Sequence, residues 1–98
     1  MAYEIQAVGS VRKDLKRLER SLQEEIRSKH FPKIKDDPAQ GSSLVGEFRG
    51  LRSYHFSYRG TDYRIVYEVF EEEEVMLILM LGKREGLYQA LRRRLLSR

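Results

Sequence analysis

Two runs of alternating residues on either side of a glycine constrain this chain more than any other feature. Tyr54, Phe56 and Tyr58 alternate with His55, Ser57 and Arg59; beyond Gly60-Thr61, Tyr63, Ile65 and Tyr67 alternate with Arg64 and Val66. A period of two marks a strand with one buried face, and the short glycine-containing break predicts a tight hairpin. With Gly60 and Thr61 as the central turn residues, Arg59 lies opposite Asp62, Tyr58 opposite Tyr63, Ser57 opposite Arg64, and His55 opposite Val66. Opposed residues of an antiparallel pair project to the same side. Tyr54, Phe56, Tyr58, Tyr63, Ile65 and Tyr67 therefore share a face that must be covered, and His55, Ser57, Arg59 and Arg64 share the other. Slipping one strand by one residue would break this division.

The flanking sequence supplies the cover. Tyr3 to Val8 reads as a short first strand. Ser10 is placed to cap a helix on which Val11, Leu15, Leu18, Leu22 and Ile26 form one apolar stripe, with Ser21 the candidate break into a helical hairpin. Pro32 ends or bends the helical region, and Asp36 to Gly41 reads as a loop. Leu44 to Phe48 reads as a short strand with a bulge at Gly46. Tyr63 to Phe70 and Val75 to Leu81 are further strands, the latter apolar throughout as a strand buried on both faces would be, and Glu71 to Glu74 form the solvated tip between them. Leu87, Tyr88, Leu91 and Leu95 place an apolar stripe on a closing helix. The predicted fold is α+β: an N-terminal strand and helical hairpin on a small antiparallel sheet, with helices on one face and a C-terminal helix.

At 98 residues the chain fits one domain, residues 1–98, with a single core. The lack of cysteine excludes a disulfide scaffold, a thiol nucleophile and a thiolate zinc site, and two histidines are too few for a histidine-rich metal cluster. Neither a metal nor another cofactor is expected. No apolar stretch approaches the roughly 18 residues of a membrane span, and the start of the chain lacks a basic, apolar signal pattern. A soluble cytoplasmic protein without membrane contact is the expectation.

The net charge of +4 is unevenly placed. Residues 83–98 hold Lys83, Arg84, Arg92, Arg93, Arg94 and Arg98 against Glu85 alone, net +5, so the rest of the chain sums to −1. Arg49, Arg52, Arg59 and Arg64 against Asp62 form a second basic zone. Such polarity suits attraction of a polyanion to one end of the molecule; an uneven solvated surface is the plain alternative. On the open hairpin face, two guanidiniums, a hydroxyl and an imidazole fit a phosphodiester, because guanidinium forks match phosphate oxygens and imidazole moves protons near neutral pH. Each residue has an ordinary role too. Arg59 could pair with Asp62 across the turn, and Arg64 with Glu68. His55 could be a plain surface residue, Tyr88 part of the core, and His30 an exposed residue or dipole partner at a helix end.

The run Tyr63-Arg64-Ile65-Val66-Tyr67-Glu68-Val69, an apolar strand, then Gly82-Lys83-Arg84-Glu85 and Tyr88 resemble the RelE/ParE superfamily of bacterial toxins. The helix Lys13-Asp14-Leu15-Lys16-Arg17-Leu18 and the Asp37-Pro38 and Gly41 loop add to the likeness, which covers nearly the whole chain and is strongest to the RelE branch. The resemblance implies the toxin half of a type II toxin–antitoxin pair, with a cognate antitoxin as partner. For the RelE branch it implies a metal-independent endoribonuclease that cuts messenger RNA in the A site of the small ribosomal subunit and so inhibits translation. The implied reaction is attack of a ribose 2′-hydroxyl on the adjacent phosphate, which needs a base, cations for the phosphorane-like charge and an acid for the departing oxygen. By resemblance, Arg64 and Arg84 hold or stabilise the phosphate, Tyr88 orients or activates the substrate, and Arg59 is a further basic position; Ser57, Lys83 and Arg52 are additional RNA-contact candidates. Two lysines of the best-known RelE toxins fall on His55 and Ser57, which makes His55 the candidate base. Two other functions fit the same fold: a ParE-like poison of DNA gyrase, and a weakly catalytic homologue that mainly binds its antitoxin.

Overall fold

The computed structural model describes residues 3–97. Strands β1 (Glu4–Ala7), β2 (Ser42–Ser43), β3 (Leu51–Tyr58), β4 (Thr61–Phe70) and β5 (Val75–Lys83) form one sheet in the order β1-β5-β4-β3-β2. β1 runs parallel to β5, and the other neighbours are antiparallel. Helices α1 (Ser10–Lys16), α2 (Arg20–Glu25) and α3 (Phe31–Asp36) follow β1, and α4 (Leu87–Leu96) closes the described chain. The expected α+β architecture is present, with β5 buried on both faces.

The helices do not share one face. Val11, Leu15, Leu22, Ile26 and Ile34 pack with Tyr54, Tyr63, Ile65 and Tyr67 on one side of the sheet. Leu87 and Leu91 of α4 pack with Leu51, Val66, Leu79 and Met80 on the other. A sheet with apolar residues on both sides of β4 and β5 exposes two surfaces to water unless both are covered, and α4 covers the second. The apolar stripe on α4 carried this signal.

The helical region breaks at Arg17–Glu19, just before Ser21, and Glu19 is extended with ψ 155°. Ser10 does not cap α1 but is its first residue; Gly9 precedes it without a side-chain cap. A single wide turn of the π type, Ile26–His30, joins α2 to α3, with the Phe31 N–H donating to Ile26 O. Pro32 follows that turn as the second residue of α3, so the helical path continues through the proline instead of ending at it. The wide turn buries His30 rather than leaving it exposed. Its ring stacks on Phe56 at 3.9 Å, with Nδ1 2.8 Å from Tyr54 Oη and Nε2 2.9 Å from Glu25 Oε2. Burial lowers its pKa more than the Glu25 carboxylate raises it.

The predicted strand Leu44–Phe48 is absent. The Leu44 N–H still donates to Leu51 O at 2.9 Å, but Gly46, at φ +65°, starts a 3₁₀ turn Gly46–Phe48 that leads the chain off the sheet. Pairing with β3 is confined to Ser42–Ser43. The preceding loop is anchored by Tyr67, whose buried hydroxyl donates to Pro38 O at 2.5 Å and accepts from Gly41 N at 3.1 Å. A Cβ at Gly41 would lie 2.5 Å from that hydroxyl oxygen, so only glycine fits.

The hairpin turn also differs from expectation. Its central residues are Arg59 and Gly60, at φ +50° and +80°. Two positive φ angles match the right-handed twist of the flanking strands, and glycine supplies one without strain. The register therefore pairs Tyr58 with Thr61, Ser57 with Asp62, Phe56 with Tyr63 and His55 with Arg64. Relative to the expected pairing this is a shift of two residues. A two-residue shift preserves side-chain parity, so the aromatic and polar faces keep their members, except that Arg59 leaves the polar face for the turn.

Candidate active site

His55 on β3, Arg64 on β4 and Gly82 on β5 form one cross-strand row. Gly82 has no side chain to stand beside Arg64. Gly86, at φ +71°, then turns the chain from β5 into α4 and brings Tyr88 over the row. Arg64 Nη1 donates to Tyr88 Oη at 3.0 Å, and its guanidinium carbon lies 5.6 Å from the centre of the Tyr88 ring. The Tyr88 hydroxyl donates onward to Ser53 Oγ at 3.3 Å, and Ser53 is buried. Phe48 packs against the Tyr88 ring at 5.8 Å between centroids. Glu47 accepts from Arg92 Nε at 2.9 Å and from Nη2 at 2.5 Å, which ties the 3₁₀ turn to α4. Tyr88 is thus held by three separate segments, while one side of Arg64 opens onto a shallow cleft lined by His55, Phe56, Ser57 and Asp62.

Arg84 joins the same end of the face just beyond β5. Its N–H donates to Asp62 O at 3.0 Å, and its Nη1 lies 3.9 Å from Asp62 Oδ2. Partial burial and then the positive charge of Arg64 push the His55 pKa below the ordinary imidazole value; Asp62 opposes the shift and Arg84 adds to it. The shift favours the neutral imidazole, the form that can accept a proton.

The structure brings Arg64, Tyr88, His55, Arg84 and Ser57 to one face and leaves the other candidates elsewhere. Arg59 lies in the turn, 3.2 Å from Glu19 Oε1 and over the Tyr58 ring, so its partner is Glu19 and not Asp62. Arg52 projects to the aromatic side, where Nη1 donates to Ala39 O at 3.0 Å and to Gly41 O at 2.6 Å; it fastens the loop. Lys83 is opposite Tyr63 and leaves the sheet on that same side. Arg64 has Tyr88, not Glu68, as its partner.

Ser53, Phe48 and Asp62 were not among the candidates. Ser53 has the parity of His55 and Ser57, so carrying the alternation two residues further back finds it. Phe48 was hidden by the expected strand, and Asp62 by its expected pairing with Arg59. Among the described residues, no group of three or more His, Asp or Glu side chains could hold a metal ion, and no helix is long and apolar enough to cross a membrane.

Comparison with known proteins agrees with this architecture. A putative RelE-like toxin protein of Escherichia coli is 27% identical over 86 residues, covering 87% of this chain and 86% of the relative. The toxin–antitoxin complex RelBE2 of Mycobacterium tuberculosis contains a chain of the same fold, 26% identical, with a TM-score of 0.73 over 86% of this chain and 100% of that one. A mutant of E. coli toxin RelE in the free state superimposes with a TM-score of 0.75 over 99% of this chain and 97% of that one, at 20% identity. Residues 5–92 match the profile of the ParE-like toxins of type II bacterial toxin–antitoxin systems, and the chain belongs to that family.

Proposed function

We propose that the protein is a ribosome-dependent messenger-RNA endonuclease, the toxin of a pair completed by a cognate antitoxin. The observation that carries this reading is the chain Arg64–Tyr88–Ser53, which fixes a guanidinium and a phenol beside the His55 imidazole on an open face. In the reaction, the ribose 2′-oxygen bonds to the adjacent phosphorus and the bond to the 5′-oxygen breaks, leaving a 2′,3′-cyclic phosphate and a 5′-hydroxyl. His55 takes the 2′-hydroxyl proton. Arg64 and Arg84 face the charge that builds on the non-bridging oxygens, and fixed cations of this kind are worth most where charge develops. Tyr88 orients the nucleotide, and the departing 5′-oxygen receives a proton from Tyr88 or water. The cleft is shallow and encloses little of any RNA, which suits a substrate already extended and held by a ribosome. The relatives solved as RelBE2 of M. tuberculosis, RelBE of E. coli and RelE–RelB of Pyrococcus horikoshii are complexes with antitoxins. An antitoxin for this chain would present acidic or apolar surface to the basic face.

Induction in growing cells, followed by mapping of transcript 5′-ends, tests the reading. New ends within codons of translated regions are expected. Intact transcripts accompanied by gyrase-linked DNA breaks would overturn it in favour of a gyrase poison. A pH dependence follows from the lowered pKa of His55. A base must be unprotonated, so cleavage by purified toxin on programmed ribosomes should be level from pH 8 to 7. It should decline only below the ordinary imidazole value of about 6.5, as His55 gains its proton. His55→Gln should remove that acid limb, and a limb that survives in the variant assigns the titration to another group.

A further inference from the structure

Asp62 brings a carboxylate to the anion-binding end of the face. It projects with Arg64 and His55, lines the same cleft, and is 3.9 Å from the guanidinium of Arg84. A carboxylate there opposes a phosphate twice, by repelling it and by engaging the arginine that would hold it. Yet the pair is loose: the side chains of Arg84 and Asp62 are 64% and 62% exposed, so a competing anion reaches either one from solvent. The backbone of Arg84 is anchored independently through its N–H to Asp62 O. The guanidinium can therefore change partner while its main chain stays fixed. Ser57, opposite Asp62, is neutral and gives the carboxylate no counter-charge.

We propose that Asp62 is a built-in stand-in for the RNA phosphate. It engages Arg84 while no RNA is bound and keeps the affinity for free single-stranded RNA low. This rests on the endonuclease reading and deepens it: a toxin that binds loose RNA poorly depends on another particle to deliver its substrate. Asp62 acts through Arg84 and is a positioning residue, not a catalytic one.

The test uses the full chain and a single-stranded RNA whose 2′-hydroxyls are methylated, so that binding is read without cleavage. Asp62→Asn preserves shape while removing the charge, and Asp62→Ser replaces it should the amide fail to fold. The neutral variant should bind about three- to tenfold more tightly than the wild type at low salt. The gain should fade toward about 300 mM salt, because exposed charges are screened, a dependence that a merely structural change would not produce. It should shrink in the Arg84→Ala background, where there is no guanidinium to release and only the direct repulsion is relieved. If Arg84→Ala weakens binding but neutralising Asp62 does not strengthen it, or if the gain is undiminished without Arg84, the stand-in is overturned and the phosphate site remains. If Arg84→Ala binds RNA as tightly as the wild type, both the stand-in and the phosphate site fail.

Discussion

Arg64→Ala is expected to lower the single-turnover rate of messenger-RNA cleavage on programmed ribosomes about a hundred- to a thousandfold, and to abolish growth inhibition on induction. The size follows from two losses at one position. The guanidinium is the strand-borne cation of the face, and it also holds Tyr88 through the 3.0 Å bond to its hydroxyl. The fold should survive, because Arg64 is only half-buried and Tyr88 keeps Ser53, Phe48 and the apolar seat of α4. Thermal unfolding of the variant within a few degrees of the wild type is the accompanying expectation. Arg64→Lys should restore little, since an ammonium keeps the charge but not the planar fork that can bind Tyr88 and a phosphate oxygen together. Near-normal cleavage by Arg64→Ala would remove this face from the reaction altogether.

Local pattern revealed which residues share the open face better than it revealed the register. His55, Ser57 and Arg64 were grouped correctly because side-chain parity survives any even shift of the hairpin, although the true turn is Arg59-Gly60. Arg59 and Arg52 carry the same charge as Arg64, and their use is decided by distant segments: Glu19 at the α1–α2 break for one, the carbonyls of Ala39 and Gly41 for the other. Composition cannot tell a guanidinium that anchors a loop from one that awaits an anion. The fold was legible in its elements because apolar periodicity is local. The placement of α4 on the opposite face, and the parallel pairing of β1, depend on residues far apart in the sequence: Leu51 and Leu91 share one apolar cluster, and Glu4 pairs with Val75.

One such contact predicts the largest loss of stability. β1 accompanies β5 only as far as Ile78, and beyond it no strand among the described residues lies beside the outer edge of β5. Asp14 of α1 fills part of that gap, accepting from the Leu81 N–H at 3.2 Å, and Arg94 of α4 fills the rest, donating to Leu79 O at 2.9 Å. The two side chains meet there in a fork, with Nη1 2.8 Å from Oδ2 and Nη2 2.9 Å from Oδ1, linking helices on opposite faces around the sheet edge. Asp14 is 6% exposed, so removing its partner leaves a carboxylate with one N–H donor and almost no water. Breaking a buried pair from one side costs about 3–5 kcal/mol, and the partial exposure of Arg94 sets the lower end. Arg94→Ala should therefore lose about 3 kcal/mol in urea unfolding, which for a domain of this size lowers the melting temperature by roughly 12–20 °C. Asp14→Ala combined with Arg94→Ala should lose less than the two single losses added together, because neither charge is then left buried alone. Additive losses would mean that the helices are held to the sheet by their apolar stripes, with the ion pair a bystander at its edge.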